Sequence, residues 1–246
     1  MANTALHRRD WEELAKLDPL WAILGEPTKR FGQWDLEEFF RTGSQEISQL
    51  MEKAVTLGFP HARQRALDFG CGVGRLTRAL REHFAECHGV DISSSMVEMA
   101  QRLNPGCEFR QDASLESFPA SYADLIYSAL VLQHQPDQQS ARRIIEDMLR
   151  VLAPGGLLVF QIPLSIPWRN RLQLRRRLYR ALHALALPHT FLYQRLKLNP
   201  IRMISVPLTD IQAIVGRQNG KVLRIDQTIA QGNEYVSAIV YCSKGV

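Results

Sequence analysis

The stretch Leu67-Asp68-Phe69-Gly70-Cys71-Gly72-Val73-Gly74-Arg75 constrains the fold of this chain more than any other. An apolar strand pattern meets an acid and then three glycines at alternate positions, and a helical pattern begins at once. Glycine tolerates the left-handed backbone of a tight turn and lets a ligand come close to the main chain. A strand, a glycine turn and a helix in succession make the nucleotide-cradling unit of an open α/β sheet.

The alternation continues downstream. Residues 66–69, 87–92, 108–111, 123–129 and 157–162 read as strands, with helices at 76–83, 93–103 and 137–152 and a turn at Pro154-Gly155-Gly156. Such alternation predicts a parallel sheet covered by helices on both faces. Residues 10–59 read instead as helices broken at Asp18-Pro19 and Glu26-Pro27, and they carry Trp11, Trp21, Trp34 and Phe39-Phe40. Residues 168–187 read as one helix with an apolar stripe of Trp168, Leu172, Tyr179, Leu182, Leu185 and Ala186. A helix at 209–218 follows, then strands at 221–227 and 235–243 joined by a short polar loop, which predicts an antiparallel hairpin.

A chain of 246 residues suits one domain with additions, and 46% hydrophobic with 22% charged residues is the balance of a soluble globular protein. No uncharged apolar run reaches the roughly 18 residues of a membrane span. No secretory leader pattern opens the sequence, and Cys71, Cys87, Cys107 and Cys242 are scattered without a CxxC pair. A cytoplasmic protein with reduced thiols and no metal-ligand cluster is expected. Charge is uneven: residues 163–205 hold nine of the 30 basic residues and no acid, leaving 21 basic against 25 acidic residues elsewhere.

Three readings of the glycine turn compete. A phosphate loop needs a Lys followed by Ser or Thr after its last glycine, and here Arg75 and Leu76 follow. A dinucleotide fingerprint needs GxGxxG, and the spacing here is GxGxG. The third reading is a sulfonium nucleoside, whose carboxylate suits a helix N-terminus.

The stretch ALDFGCGVGRLTRAL resembles the first motif of the class I S-adenosylmethionine-dependent methyltransferases. His88-Gly89-Val90-Asp91-Ile92-Ser93 resembles that family's second-strand motif, and Gln111-Asp112-Ala113 the adenine turn after its third strand. Ala123 to Leu130, Leu132-Gln133-His134 and Leu152-Ala153-Pro154-Gly155-Gly156 follow in the family's order. The resemblance spans 65–162 and extends to the closing hairpin. It implies a Rossmann-like α/β sheet in the order 3-2-1-4-5-7-6 with the last strand antiparallel. It divides the chain into an N-terminal helical lid (1–60), an S-adenosylmethionine-binding core (61–162), a basic helical insertion (163–206) and a helix with hairpin completing the core (207–246).

Cofactor contacts are expected from Asp68, Gly70, Cys71, Gly72, Asp91, Ile92, Met96, Asp112, Ala113 and Ser128, with Trp34 from the lid. Asp91, about 20 residues past the glycines, can accept the ribose hydroxyls; Asp112 can accept from the adenine amino group. His134 is the candidate catalytic base, since an imidazole titrates near neutral pH. Phe39, Arg175 and His183 are candidate acceptor contacts. The segment Ser128-Ala129-Leu130-Val131 lacks the prolines of the family's nucleic-acid amine methyltransferases and the Pro-Cys of its pyrimidine-carbon enzymes. That leaves a small molecule or glycan, with O-methylation favoured and an acidic or lipid-linked acceptor suggested by the arginines. N-methylation, a nicotinamide-dependent oxidoreductase and a non-catalytic S-adenosylmethionine-binding module are the alternatives. The basic insertion reads as a substrate cap, a peripheral membrane contact through 168–187, or a homodimer contact.

Overall fold

The computed structural model describes residues 2–167, 172–229 and 236–245. Helices α1 (Ala2–Leu17), α2 (Pro19–Ile23) and α3 (Leu36–Leu57) precede the sheet. There follow β1 (Arg65–Phe69), α4 (Arg75–Leu80), β2 (Glu86–Asp91), α5 (Ser94–Leu103), β3 (Glu108–Gln111), β4 (Ala123–Ser128), α6 (Gln138–Val151) and β5 (Leu152–Pro163). The insertion holds α7 (Leu174–Ala184) and α8 (His189–Gln194), and α9 (Leu208–Arg217), β6 (Gly220–Ile229) and β7 (Val236–Lys244) close the chain.

The seven strands form one sheet in the order β3-β2-β1-β4-β5-β7-β6. The first five run parallel, and β7 lies antiparallel to both β5 and β6. This is the expected order. Strand alternation divides the core. Leu67 and Phe69 of β1, Ile126 of β4, Leu158 and Phe160 of β5 and Val240 of β7 face α6 and α9. Ala66, Leu125, Tyr127, Leu157, Val159 and Tyr241 face α3 and α4. Each fully buried Leu, Ile or Phe contributes about 1.5–3 kcal/mol of hydrophobic transfer, so the two-sided apolar strands dominate the stability of the sheet.

Local chemistry places the helix ends. Asp35, Ser93 and Asp137 cap α3, α5 and α6 by accepting from the amides of Glu38, Met96 and Ser140. Gly58, at φ 75°, ends α3 in the left-handed conformation. Two expectations change. The Pro154-Gly155-Gly156 turn lies inside β5, because Leu152 already pairs with Ala123 before the register shifts. The helix expected over 168–187 ends early: among the described residues α7 covers Leu174–Ala184, and after Ala186, with φ 65°, and Pro188 a separate α8 follows beyond the expected range. Among the described residues of the expected stripe only Tyr179 is fully buried, packed with Leu192 and Leu198 from beyond it, while Leu185 is 72% exposed. The expected starts at Trp168 and Tyr235 lie outside the described residues, as do Arg169 and Arg171.

Candidate active site

The carboxyl ends of β1, β2, β3 and β4 open on one edge of the sheet, at the crevice where the strand order reverses. A cavity of about 430 Å³ lies there. Gly70, Gly72, Asp91 and Ile92 form its floor, with Met96 of α5 beside them and Asp112 and Ala113 along one side. Gly70 and Gly72 have φ of 76° and 54°, and a Cβ on either would collide with Val131 or Ile23 at 2.2 and 2.4 Å. Both the turn and the close packing above it therefore require glycine.

Asp91 is held rigidly. Its two oxygens accept from the Gly72 and Ser93 amides, both at 2.9 Å. Burial raises its pKa, and the amides of Ser93, Gly72 and Ile92 oppose that shift. Among the described residues no cation pairs with it. A fixed carboxylate in a cavity wall with lone pairs to spare is suited to neutral hydroxyl donors.

Asp112 behaves differently. Its carboxylate accepts from the amides of Ser114, Leu115 and Ser117 and from the hydroxyls of Ser114 and Ser117. Burial alone would raise its pKa, but these bonds outweigh it and hold the group below the usual carboxylate range. Both oxygens are thus engaged in ordering the loop after β3, and the wall this residue gives the cavity is a shaped backbone turn.

Four other expected cofactor contacts do not line the cavity. Asp68 lies beneath the turn, 1% exposed, with the Thr77 hydroxyl donating to it at 2.7 Å, and burial pushes its pKa up to about 7. Strand alternation turns it toward α4, away from the crevice. The Cys71 side chain packs with Val97, Ala100 and Phe109. Ser128 donates to the Phe69 carbonyl at 3.1 Å and stitches β4 to β1. Trp34 donates to the Leu24 carbonyl at 3.2 Å and meets Phe39 edge-on. Phe39 is itself fully buried behind Val73 and Met96.

The roof comes from the N-terminal helices, through Thr4, His7 and Trp11 of α1 and Ala22 and Ile23 of α2. Glu12 docks α1 onto the first turn of α5, accepting from the hydroxyls of Ser93, Ser94 and Ser95 and from the Ser95 amide. Burial opposes its ionisation, and the bonds from Ser95 and Ser93 bring its pKa below the ordinary value nonetheless.

His134 is not in the cavity wall. Its Nδ1 is 2.6 Å from the Arg202 carbonyl, which can only accept, so Nδ1 carries the proton. Its Nε2 then accepts from the Gln133 amide at 3.1 Å. Burial lowers its pKa to about 4. Both nitrogens are spent on structure. His7 takes the position expected of His134. It is 5% exposed, lines the cavity and has an edge-on contact with Trp11. Burial first, then Arg202, His134 and Arg176, lowers its pKa to about 3, so it is neutral across the physiological range. No local pattern marks His7, because α1 reaches the site only by tertiary docking.

Charges of residues 163–205 turn toward the N-terminal helices. Arg176 and Arg202 approach Asp10 of α1 at 3.6 and 3.9 Å. The Tyr193 hydroxyl donates to Asp18 at 2.8 Å, and Arg30 stacks over Trp21 and Tyr193. Arg175 donates to the Lys197 carbonyl at 2.7 Å, and His183 lies against Arg9. Neither Arg175 nor His183 lines the cavity.

The geometry agrees with comparisons against known proteins. Residues 67–160 match the family model described as a methyltransferase domain. A ubiquinone biosynthesis O-methyltransferase of Coxiella burnetii is 32% identical over 157 residues, 61% of each chain. A trans-aconitate 2-methyltransferase of an Azoarcus strain is 30% identical over 133 residues, 53% of this chain and 51% of its own. The chain thus spans about three-fifths or less of these curated relatives. Among solved structures, magnesium protoporphyrin IX methyltransferase from Synechocystis, with bound S-adenosylhomocysteine, superposes with a TM-score of 0.64 at 20% identity, over 99% of this chain and 100% of its own. An N-methyltransferase of Bradyrhizobium japonicum, also with S-adenosylhomocysteine, gives 0.60 at 17% identity over 96% and 98%. Sheet order, glycine turn and Asp91 converge with the methyltransferase-domain match over residues 67–160, and the fold is that of the class I S-adenosylmethionine-dependent methyltransferases.

Proposed function

We propose that this chain methylates an acidic oxygen of a small molecule, using S-adenosylmethionine as donor. The observation that carries the reading is one continuous cavity that runs from Asp91 and the glycine turn to His7 and Trp11 beneath α1. The residues present fit the cofactor. Asp91 offers fixed acceptors for the ribose, Ile92 and Met96 offer apolar walls for the adenine, and the Gly70 and Gly72 main chain admits close approach. When bound, S-adenosylmethionine supplies an activated methyl group on a sulfonium. The protein's part is alignment and exclusion of water. The roof helices close the cavity, and neutral His7 can accept a hydrogen bond from the acceptor and orient its oxygen.

Neither His7 nor His134 has a pKa near neutrality, so neither is tuned as a general base. A phenol, enol or carboxylic acid needs little help in losing its proton, whereas a sugar hydroxyl needs a great deal. One curated relative is named for trans-aconitate and the other for ubiquinone biosynthesis, and these names favour a small acidic acceptor over a glycan. Titration with S-adenosylhomocysteine, followed by methyl-transfer assays on panels of phenols, carboxylic acids and sugars, tests the reading. Turnover confined to sugars or amines would refute it, and cofactor binding without any turnover would favour a non-catalytic module.

A second reading concerns location. Leu174 and Leu178 of α7 and Leu185 just after it are 65%, 50% and 72% exposed on a segment without acids. Among the described residues no helix is long and apolar enough to cross a membrane. The exposed leucines with the neighbouring arginines favour peripheral contact with an anionic lipid surface. Sedimentation with anionic vesicles that persists in a Leu174→Ser/Leu178→Ser variant would count against it, and self-association lost in that variant would assign the face to a dimer.

A further inference from the structure

Away from the cavity, α1 and the insertion meet through three side chains far apart in sequence. Glu13 of α1, His183 of α7 and His189 of α8 bring one carboxylate oxygen and two ring nitrogens within 4.8 Å of one another. All three are half-buried. The two imidazole rings lie 3.8 Å apart, and His189 Nε2 is 2.8 Å from Glu13 Oε1.

The far side of each ring is already committed. His183 Nδ1 faces the Leu187 carbonyl at 3.3 Å, so it carries the proton and leaves the Nε2 lone pair inward. His189 Nδ1 meets the hydroxyl of buried Tyr179. A cation already competes for the inward lone pairs. The Arg9 guanidinium reaches His183 Nε2 at 3.2 Å with one nitrogen and donates to Glu13 Oε1 at 3.0 Å with another. The Arg9 side chain is 61% exposed, so it can swing into water without loss of packing.

We propose that Glu13, His183 and His189 form a binding site for a divalent transition-metal ion of the zinc type, for which the Arg9 guanidinium competes. Two imidazoles and a carboxylate are the donor set of such ions, with water completing the shell. Hard ions such as magnesium or calcium are disfavoured by the two nitrogen ligands. Each histidine has the outer hydrogen-bond partner that orients a metal-binding imidazole. None of the three ligands lines the cavity. The ion would act as a clasp between the insertion and α1, the helix that presents His7 and Trp11 to the cavity.

The test is a zinc titration of the full, untagged chain against a chromophoric chelator, with cobalt substituted for its visible spectrum. One ion per chain is expected, with affinity reduced at least about tenfold in Glu13→Gln and in His189→Ala. Arg9→Gln, a change at an exposed position that leaves the ligands intact, is expected to tighten binding by removing the competitor. The proposal is overturned by an absence of stoichiometric binding, by affinity that Glu13→Gln and His189→Ala leave unaltered, or by an Arg9→Gln variant that binds no more tightly than the parent. Should His189→Ala fail to fold, the Arg9→Gln titration and the cobalt spectrum still decide.

Discussion

Three aspartates near the glycine turn show how environment assigns roles at the scale of a residue. Asp91 faces the cavity with acceptors to spare, Asp112 has both oxygens bound within its own loop, and Asp68 is sealed beneath the glycine turn against Thr77. Asp91→Ala is expected to raise the dissociation constant for S-adenosylhomocysteine at least about tenfold, since a hydrogen bond to a charged group is worth about 1.5–3 kcal/mol. Isothermal titration reads this directly, and unchanged affinity would remove Asp91 from the cofactor site. The two histidines separate by the same logic. His7→Gln should lower turnover with cofactor affinity preserved, because His7 lines the part of the cavity beneath α1 that the proposed reading gives to the acceptor. His134→Gln should lower thermal stability and spare the chemistry at permissive temperature, because its nitrogens hold Arg202 and Gln133. Steady-state kinetics beside melting curves distinguish them, and the opposite pattern would restore His134 as the group that meets the acceptor. Asp91 was legible in the sequence because its offset from the glycines is set by one strand–helix–strand unit. His7 was not, because nothing within its own helix records what that helix packs against.

At the scale of elements, the strands and their order were legible because two-sided burial writes near-continuous apolar runs into the sequence, as in Leu157 to Ile162. The helix over 168–187 was expected too long, and α8 after it went unseen, because the leucines of 172–198 alternate between burial and exposure. Leu192 is buried while Leu174 and Leu185 are not, and an apolar stripe does not say which leucines find a partner. The lid was assigned to Trp34 and Phe39 on their aromatic character, yet both form a layer behind it. What holds α1 over the site is Glu12 on the first turn of α5, a contact between residues more than 80 positions apart. Glu12→Ala is expected to cost about 1–2 kcal/mol, as loss of a charged cap does. It should also accelerate proteolysis within residues 2–17 and speed release of S-adenosylhomocysteine. Unchanged cleavage and release rates would show that α1 is held elsewhere.

Across the whole molecule, the segment 163–205 that looked like an anion-binding cap turns part of its charge inward, Arg176 and Arg202 against Asp10 and His189 against Glu13. Those partners lie more than 160 residues away, so composition showed the excess charge without its destination. The same burial sets the response to pH. His7 and His134 have folded pKa values of about 3 and about 4, below the 6.5 of an unfolded chain. The unfolded state therefore takes up protons first as pH falls, and the stability these rings permit above pH 6.5 is lost progressively toward pH 4. Asp68 works in the other direction. Its folded pKa of about 7 lies above the unfolded 3.8, so its contribution is full below pH 3.8 and is lost as pH rises through 7. Between pH 4 and 6.5 the two slopes oppose each other. Asp68→Asn keeps an acceptor for Thr77 and removes one of them. The variant's stability relative to the parent should then improve by about 1.4 kcal/mol for each pH unit between about 4.5 and 7, or on the order of 3 kcal/mol in all. Urea unfolding of both proteins at pH 4.5 and 7.5 measures the difference. A gap that does not change with pH would mean that Asp68 ionises like an ordinary surface carboxylate, and that the buried floor of the glycine turn is hydrated.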